Sequence, residues 1–233
     1  MRSNSGRKAA VAALLFGGTL GASSASGAIL WDQLTTAVPT GVSLSSQQFE
    51  AAYAAYNNIS IDDFTLGANS TITSVDFSFL YFNGPGPVAN WRVEIFSSPA
   101  AAVAAGPALV GDVFDSGFLP GGQPATGAPA FLSLPVNIPL AAGSYWIGIQ
   151  GVMDFAAGGQ IALQNQNPIT GAEGFFANPG GGFVVPGNGA PFSVLNGGTA
   201  ADVIFRLNGE IPAPGAAALL GLGGLIAARR RRA

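Results

Sequence analysis

The sequence predicts an all-β protein, an antiparallel β-sandwich or jelly roll, and three observations predict it. From Ile59 onward, runs rich in Val, Ile, Phe and Tyr alternate with period 2. Turn formers such as Asn83-Gly84-Pro85-Gly86-Pro87 and Pro186-Gly187-Asn188-Gly189 separate those runs. Stretches with helical period are few, which leaves sheet packed on sheet as the way to close a core.

The chain opens with a basic region, Arg2, Arg7 and Lys8, followed by 12 apolar residues from Ala9 to Leu20 and small residues from Gly21 to Ala28. These flanks and this length describe a secretory signal peptide, so residues 1–28 are expected to form a signal helix cleaved between about Ala25 and Ala28. Arg7-Lys8 is not a twin-arginine pair, which points to the general export route.

Residues 29–210 form the expected exported domain. Its 182 residues suffice for one core burying roughly 70% of the unfolded surface. Residues 46–56 carry a helical signal, with Phe49, Ala52, Tyr53 and Tyr56 at i, i+3, i+4 and i+7 and Ser46 as cap. The clearest strand is 74–82, where Val75, Phe77, Phe79 and Tyr81 share a face opposite Ser74, Asp76 and Ser78. Trp91, Val93 and Ile95 alternate with Arg92 and Glu94. Residues 99–105 follow Ser98 and precede Gly106, the signature of a short helix begun by a proline. The alanine- and proline-rich span 99–130 is otherwise a surface excursion, with a strand expected at 109–114. Tyr145, Ile147 and Ile149 alternate with Trp146, Gly148 and Gln150, and Val203, Phe205 and Leu207 with Asp202, Ile204 and Arg206. Shorter runs at 61–66, 131–138, 161–163, 175–176 and 183–185 bring the expected strands to about nine.

Composition excludes several chemistries. The sequence holds no histidine and no cysteine, so Ser-His or Cys-His catalysis, His-ligated zinc, thiol chemistry and disulfides are ruled out. All 12 acids lie between Asp32 and Glu210, whereas of 9 bases only Arg92 and Arg206 do, so the body carries −10 against −3 for the whole chain. Such a body does not bind nucleic acid, whose affinity comes from basic contacts to phosphate, and anionic lipid repels it.

Candidate sites within the body are few. Asp62 and Asp63 are strand neighbours whose side chains point to opposite faces, so they are not a carboxylate pair. Either, joined by Asp202, is the candidate for calcium, which takes about six to eight oxygens; no other cofactor is expected. Asp112 and Asp115 are the carboxylates available to a glycosidase, but they sit in a glycine- and alanine-rich loop, and no enzyme activity is expected. Trp91 lies on the apolar phase of its strand, whereas Trp146 lies opposite Tyr145 and Ile147 and is the candidate for stacking on an extracellular polysaccharide. Arg92 and Arg206 are each expected to pair with a carboxylate.

The ending is distinctive. Residues 211–233 read as Pro212-Ala213-Pro214-Gly215, then an apolar run from Ala216 to Ala228, then Arg229, Arg230, Arg231 and Arg232. The 18 residues from Ile211 to Ala228 reach about 27 Å as a helix, enough to cross a hydrocarbon core of about 30 Å with arginines snorkelling at one end. The arginine cluster keeps that end cytoplasmic. This order resembles the PEP-CTERM sorting signal of bacterial exported proteins, which exosortase enzymes recognise and process. Pro212 and Pro214 stand at the two proline positions, and Ala213 stands where the family most often has Glu. The body has a looser likeness of its own. Asp62-Asp63-Phe64-Thr65-Leu66, Ile72-Thr73-Ser74-Val75 and Leu140-Ala141-Ala142-Gly143-Ser144-Tyr145-Trp146 look like the sandwich module often found ahead of such tails. The resemblance implies a surface-displayed β-sandwich with no established reaction.

The expectation is therefore a non-catalytic exported protein of the cell surface or extracellular matrix. Its partners would be an exosortase-type processing enzyme and, before processing, the membrane through its C-terminal helix. The alternative is a calcium- or glycan-binding module displayed at the surface.

Overall fold

Residues 27–123 and 129–212 are described by the computed structural model. Residues 1–26 of the expected signal helix, and the expected sorting tail from Ala213 onward, lie outside those residues. Among the described residues no helix is long and apolar enough to cross a membrane.

Fifteen strands occur among the described residues. They are β1 (Gly27–Asp32), β2 (Pro39–Ser45), β3 (Gln47–Gln48), β4 (Ile59–Leu66), β5 (Ser70–Phe82), β6 (Asn90–Phe96), β7 (Phe114–Asp115) and β8 (Leu119–Pro120). They continue with β9 (Ala130–Leu140), β10 (Gly143–Val152), β11 (Gln160–Gln166), β12 (Phe175–Ala177), β13 (Gly189–Pro191), β14 (Asp202–Val203) and β15 (Phe205–Glu210). One sheet runs β1-β15-β5-β11-β14, with β2 on β11 and β9 on β5. The other runs β13-β12-β4-β10-β6-β7, with β3 on β10 and β8 on β6. Every pairing is antiparallel except the short contact of β3 with β10.

The period-2 faces read from the sequence are the faces that meet. Val75, Phe77, Phe79 and Tyr81 of β5 pack into one core with Trp91, Val93 and Ile95 of β6 and with Ile147 and Ile149 of β10. The Phe77 and Phe79 rings stand edge-on to Trp91 at 4.9 and 5.2 Å. Such aromatic pairs contribute about 0.5–1.5 kcal/mol each beyond the area they bury.

The second sheet is covered on its outer face as well. Helix α1 (Pro99–Ala104) starts where the Ser98 hydroxyl accepts a hydrogen bond from the Ala101 N–H, with proline at the first turn. It lays Ala102, with Leu109 behind it, over Ile59 and Ile61 of β4 and Phe96 of β6. This is why β4 and β6 are buried along nearly their whole length and why Arg92 and Glu94, on the polar phase, are buried too.

The two ends of the body emerge together. Gly27 pairs with Glu210, and Glu210 with Thr71 at the start of β5, while Phe82 at the end of β5 pairs with Gln160. Eleven residue-to-residue steps of extended strand lead from Thr71 to Phe82, a distance of about 36 Å. The β10–β11 connection is therefore at the far end of the sandwich from both chain exits.

Three expectations need correction. Residues 46–56 are not one helix: Gln47 and Gln48 pair with β10, the Ser46 hydroxyl donates to Ile149 O at 2.5 Å, and only Ala51–Tyr56 coil, as a 3-10 helix. Sheet pairing removed the residues a longer helix needed. Residues 183–185 are not a strand but follow a turn in which the Val184 N–H donates to Gly181 O, and Val184 has a φ of 52° and is 89% exposed. Residues 109–114 fold back under α1, the Leu109 N–H donating to Gly106 O, and only the two-residue β7 is extended. Gly27 and Ala28, at the end of the expected signal segment, begin β1. Strands β1, β2, β3, β8 and β13 were not expected, and most of them are short.

Candidate functional site

At the end of the sandwich away from Gly27 and Glu210, five aromatic rings close on one another in a circle. Centroid to centroid, Phe49 lies 6.4 Å from Phe155, Phe155 6.0 Å from Tyr53, and Tyr53 6.2 Å from Tyr56. Tyr56 lies 5.3 Å from Phe183, and Phe183 6.5 Å from Phe49. Neighbouring rings are tilted by 49° to 83°, so they form walls and not a flat platform. With Gln160 they line a cavity of about 200 Å³. Tyr53, Tyr56 and Phe155 are 42%, 40% and 39% exposed. Clustered exposure of large aromatic side chains marks binding surfaces.

Three of the five walls are held at their own backbone by a polar side chain. The Phe49 N–H donates to Asn57 Oδ1 at 2.8 Å, the Phe155 N–H to Glu50 Oε2 at 2.8 Å, and the Phe183 N–H to Asn178 Oδ1 at 2.8 Å. Asn178 is fully buried, and its Nδ2 donates to Ala55 O at 2.9 Å and Asn57 O at 2.8 Å. It thereby staples the 3-10 helix carrying Tyr53 and Tyr56 to the loop carrying Phe183. That loop passes so close that a Cβ on Gly182 would meet Ala55 O and the Tyr56 ring at 2.8 Å, a fit only glycine allows. Helix α2 (Phe155–Gly158) supplies the fifth ring directly after β10.

The acids singled out from sequence lie elsewhere. Asp62 faces the interior of the sandwich, opposite Ile147, and is fully buried. Its Oδ2 accepts from the Val203 N–H at 2.6 Å and its Oδ1 from the Asp63 N–H at 2.9 Å. Asp202, also fully buried, accepts through Oδ2 from the Thr170 N–H at 2.5 Å and from Gln33 Nε2 at 3.1 Å. Burial first, then the charge of Asp202, holds the Asp62 carboxyl well above the usual carboxylate range. Burial, with Asp63 and Glu173 nearby, pushes Asp202 up to about 7. Asp63 points the other way and accepts from the Ala172 N–H at 3.0 Å. Among the described residues no three acids converge to hold a metal ion.

Trp146 does lie on the phase opposite Tyr145, between Asp63 and Phe96. The outer face there is covered, so its ring is half-buried against the cluster of Ile59, Ile61 and Phe96 beside α1. Asp112 accepts from the Ser97 N–H at 2.9 Å and ties its loop to the residue after β6, and Asp115 accepts from the Gly117 N–H at 2.7 Å and closes a turn. Arg206 Nη2 meets Asp76 at 2.7 Å, and Arg92 Nη2 lies 2.6 Å from Glu94 and 3.3 Å from Asp115, so both body arginines pair with carboxylates. Burial outweighs Arg92 and pushes Glu94 up to about 8. Of the sorting motif, Pro212 is described and Ala213, Pro214 and Gly215 are not, nor are Arg229 to Arg232.

Part of the aromatic circle was visible in the sequence as the 49, 53, 56 spacing, which marks one face of a helix. Phe155 and Phe183 come from separate segments, and no local pattern ties them to it.

No family model matches the chain, and no curated protein sequence matches it. Among solved structures, the chain is similar to the cysteine protease and lectin-like domains of Cwp84, a surface layer associated protein of Clostridium difficile, with a TM-score of 0.40 and 10% identity. The match covers 66% of this chain and 32% of that one, so the likeness spans about a third of the solved chain's length.

Proposed function

We propose that the protein is a non-catalytic exported protein of the cell surface or extracellular matrix, delivered by its C-terminal sorting tail. The observation that carries this reading is the order of residues 211–233: Pro-Ala-Pro-Gly, an apolar run long enough to cross a bilayer, and four terminal arginines. An exosortase-type enzyme is the processing partner, and the membrane is engaged through the C-terminal helix until processing. The fold is compatible with this use. Gly27 and Glu210 pair at one edge, so the first and last strands of the body begin and end side by side.

Calcium or polysaccharide binding has thinner support. Asp62, Asp63 and Asp202 do not converge, and Trp146 offers a half-buried ring. The test of the delivery reading is deletion of residues 211–233 with fractionation of cells, envelope and medium. Loss of the protein from the envelope and surface fractions is expected. Unchanged distribution on deletion overturns the reading.

A further inference from the structure

The circle of aromatic rings selects a ligand chemistry, and that selection does not depend on how the protein is exported. We propose that the cage formed by Phe49, Tyr53, Tyr56, Phe155 and Phe183 binds a small soluble trimethylammonium cation, choline being the simplest.

Shape comes first. Five rings tilted by 49° to 83° to their neighbours enclose a cavity of about 200 Å³, room for one compact group surrounded on its sides. A pyranose ring stacks on a flat aromatic platform and needs hydrogen-bond partners for its hydroxyls. The cavity's side-chain polar groups are Gln160, whose Oε1 already accepts from Asn83 Nδ2, and the two tyrosine hydroxyls. A sugar would leave hydroxyls unsatisfied there.

Charge comes second. Aromatic faces are negative, and a cation over them is attracted through the ring quadrupole. A trimethylammonium group spreads its charge over methyl surfaces, so it leaves water at low cost and fills an apolar cage, whereas a bare ammonium holds its hydration. Acids outnumber arginines in the body by 12 to 2, Glu50 accepts from the Phe155 N–H, and Asp154 is exposed beside it. The body has no lysine, and both of its arginines are paired elsewhere, so the cage is not occupied or opposed by the domain's own cations.

Preorganisation comes third. Asn57, Glu50 and Asn178 hold the backbone at Phe49, Phe155 and Phe183 in advance, which lowers the ordering cost of binding.

The test is calorimetric titration of the full chain, in a detergent without a choline headgroup. The probes are choline, its neutral isostere 3,3-dimethyl-1-butanol, and a neutral oligosaccharide. Choline should bind at least about tenfold more tightly than the uncharged isostere, because the shapes match and only the charge differs. Tyr53→Leu and Tyr56→Leu keep apolar bulk at exposed positions but remove the π face, and each should weaken choline binding by about tenfold with an unchanged melting curve. Phe131→Ala, on an exposed ring outside the cage, should leave binding unchanged. Equal affinity for choline and the isostere overturns the proposal. So does an absence of choline binding up to about 10 mM, or oligosaccharide binding that the cage variants abolish.

Discussion

Asp202→Asn isolates what it costs to place two carboxyl groups inside one sandwich. Asp202 moves from an ordinary value of 3.8 to about 7 on folding, a rise of about 3 units. At about 1.36 kcal/mol per unit, roughly 4 kcal/mol is the upper bound on what the ionised side chain costs the fold once the pH exceeds both values, because Asp62 shares the rise. A carboxyl with a raised folded pKa binds its proton more tightly folded than unfolded. Its contribution is therefore fully present below about pH 4 and is lost as the pH rises through about 7. Asp62 and Glu94, also raised, have the same sign. Asp32, Asp76 and Asp115, whose pKa values are lowered, have the opposite sign and lose their contribution below about pH 4. The protein should thus be more stable near pH 5 than near pH 8. Asparagine at 202 keeps an oxygen for the Thr170 N–H and Gln33 Nε2 and carries no charge to repel Asp62. Urea denaturation followed by tryptophan fluorescence should show the variant on the order of 2–4 kcal/mol more stable than wild type at pH 8 and within about 1 kcal/mol of it at pH 5. A residual slope from Glu94 should persist. An unchanged slope in the variant, or a wild type more stable at pH 8 than at pH 5, would refute the reasoning.

Three further predictions rest on the same interior. Arg92→Met removes the guanidinium hydrogen bonds to Gln48, Ala108 and Asp115 and should cost about 1–3 kcal/mol at pH 7, where the Glu94 carboxyl with a pKa of about 8 is largely protonated, and more above pH 8, where that carboxylate is left buried without its cation; denaturation curves at the two pH values compare them. Asn178→Ala removes three hydrogen bonds made by a buried side chain and should destabilise by about 2–4 kcal/mol, and it should weaken choline binding because Phe183 and the 3-10 helix lose their staple; melting and titration of one preparation read both. Trp91→Ala empties the centre of the core where Phe77 and Phe79 meet it, and a loss of about 3–5 kcal/mol in the same urea assay is expected.

What was legible in the sequence follows from how many faces each strand buries. On β5, Val75, Phe77, Phe79 and Tyr81 bury one face against the opposite sheet, so alternation alone located the strand and its core side. On β4, Ile59 and Ile61 are buried under α1 while Phe64 and Leu66 are buried in the sandwich, and the alternating signal is lost. Strands of two or three residues, such as β7, β8 and β13, hold too few positions to show a period.

The site residues divide in the same way. Alternation placed Asp62 and Asp63 on opposite faces, and Trp146 opposite Tyr145. It held no information on what covers each face: Val203 closing over Asp62, or α1 flanking Trp146. The cage is assembled from residues as far apart as Phe49 and Phe183, and only folding brings them together.

The central claim is that residues 211–233 are a removable sorting device and the strand-built body is the delivered cargo. Intact mass of the protein recovered from the cell surface and medium tests this most directly. The account predicts a chain beginning near Ala25 to Ala28 and ending near Pro214, without the apolar run and the arginines. A surface-located chain that retains Arg229 to Arg232 would contradict it.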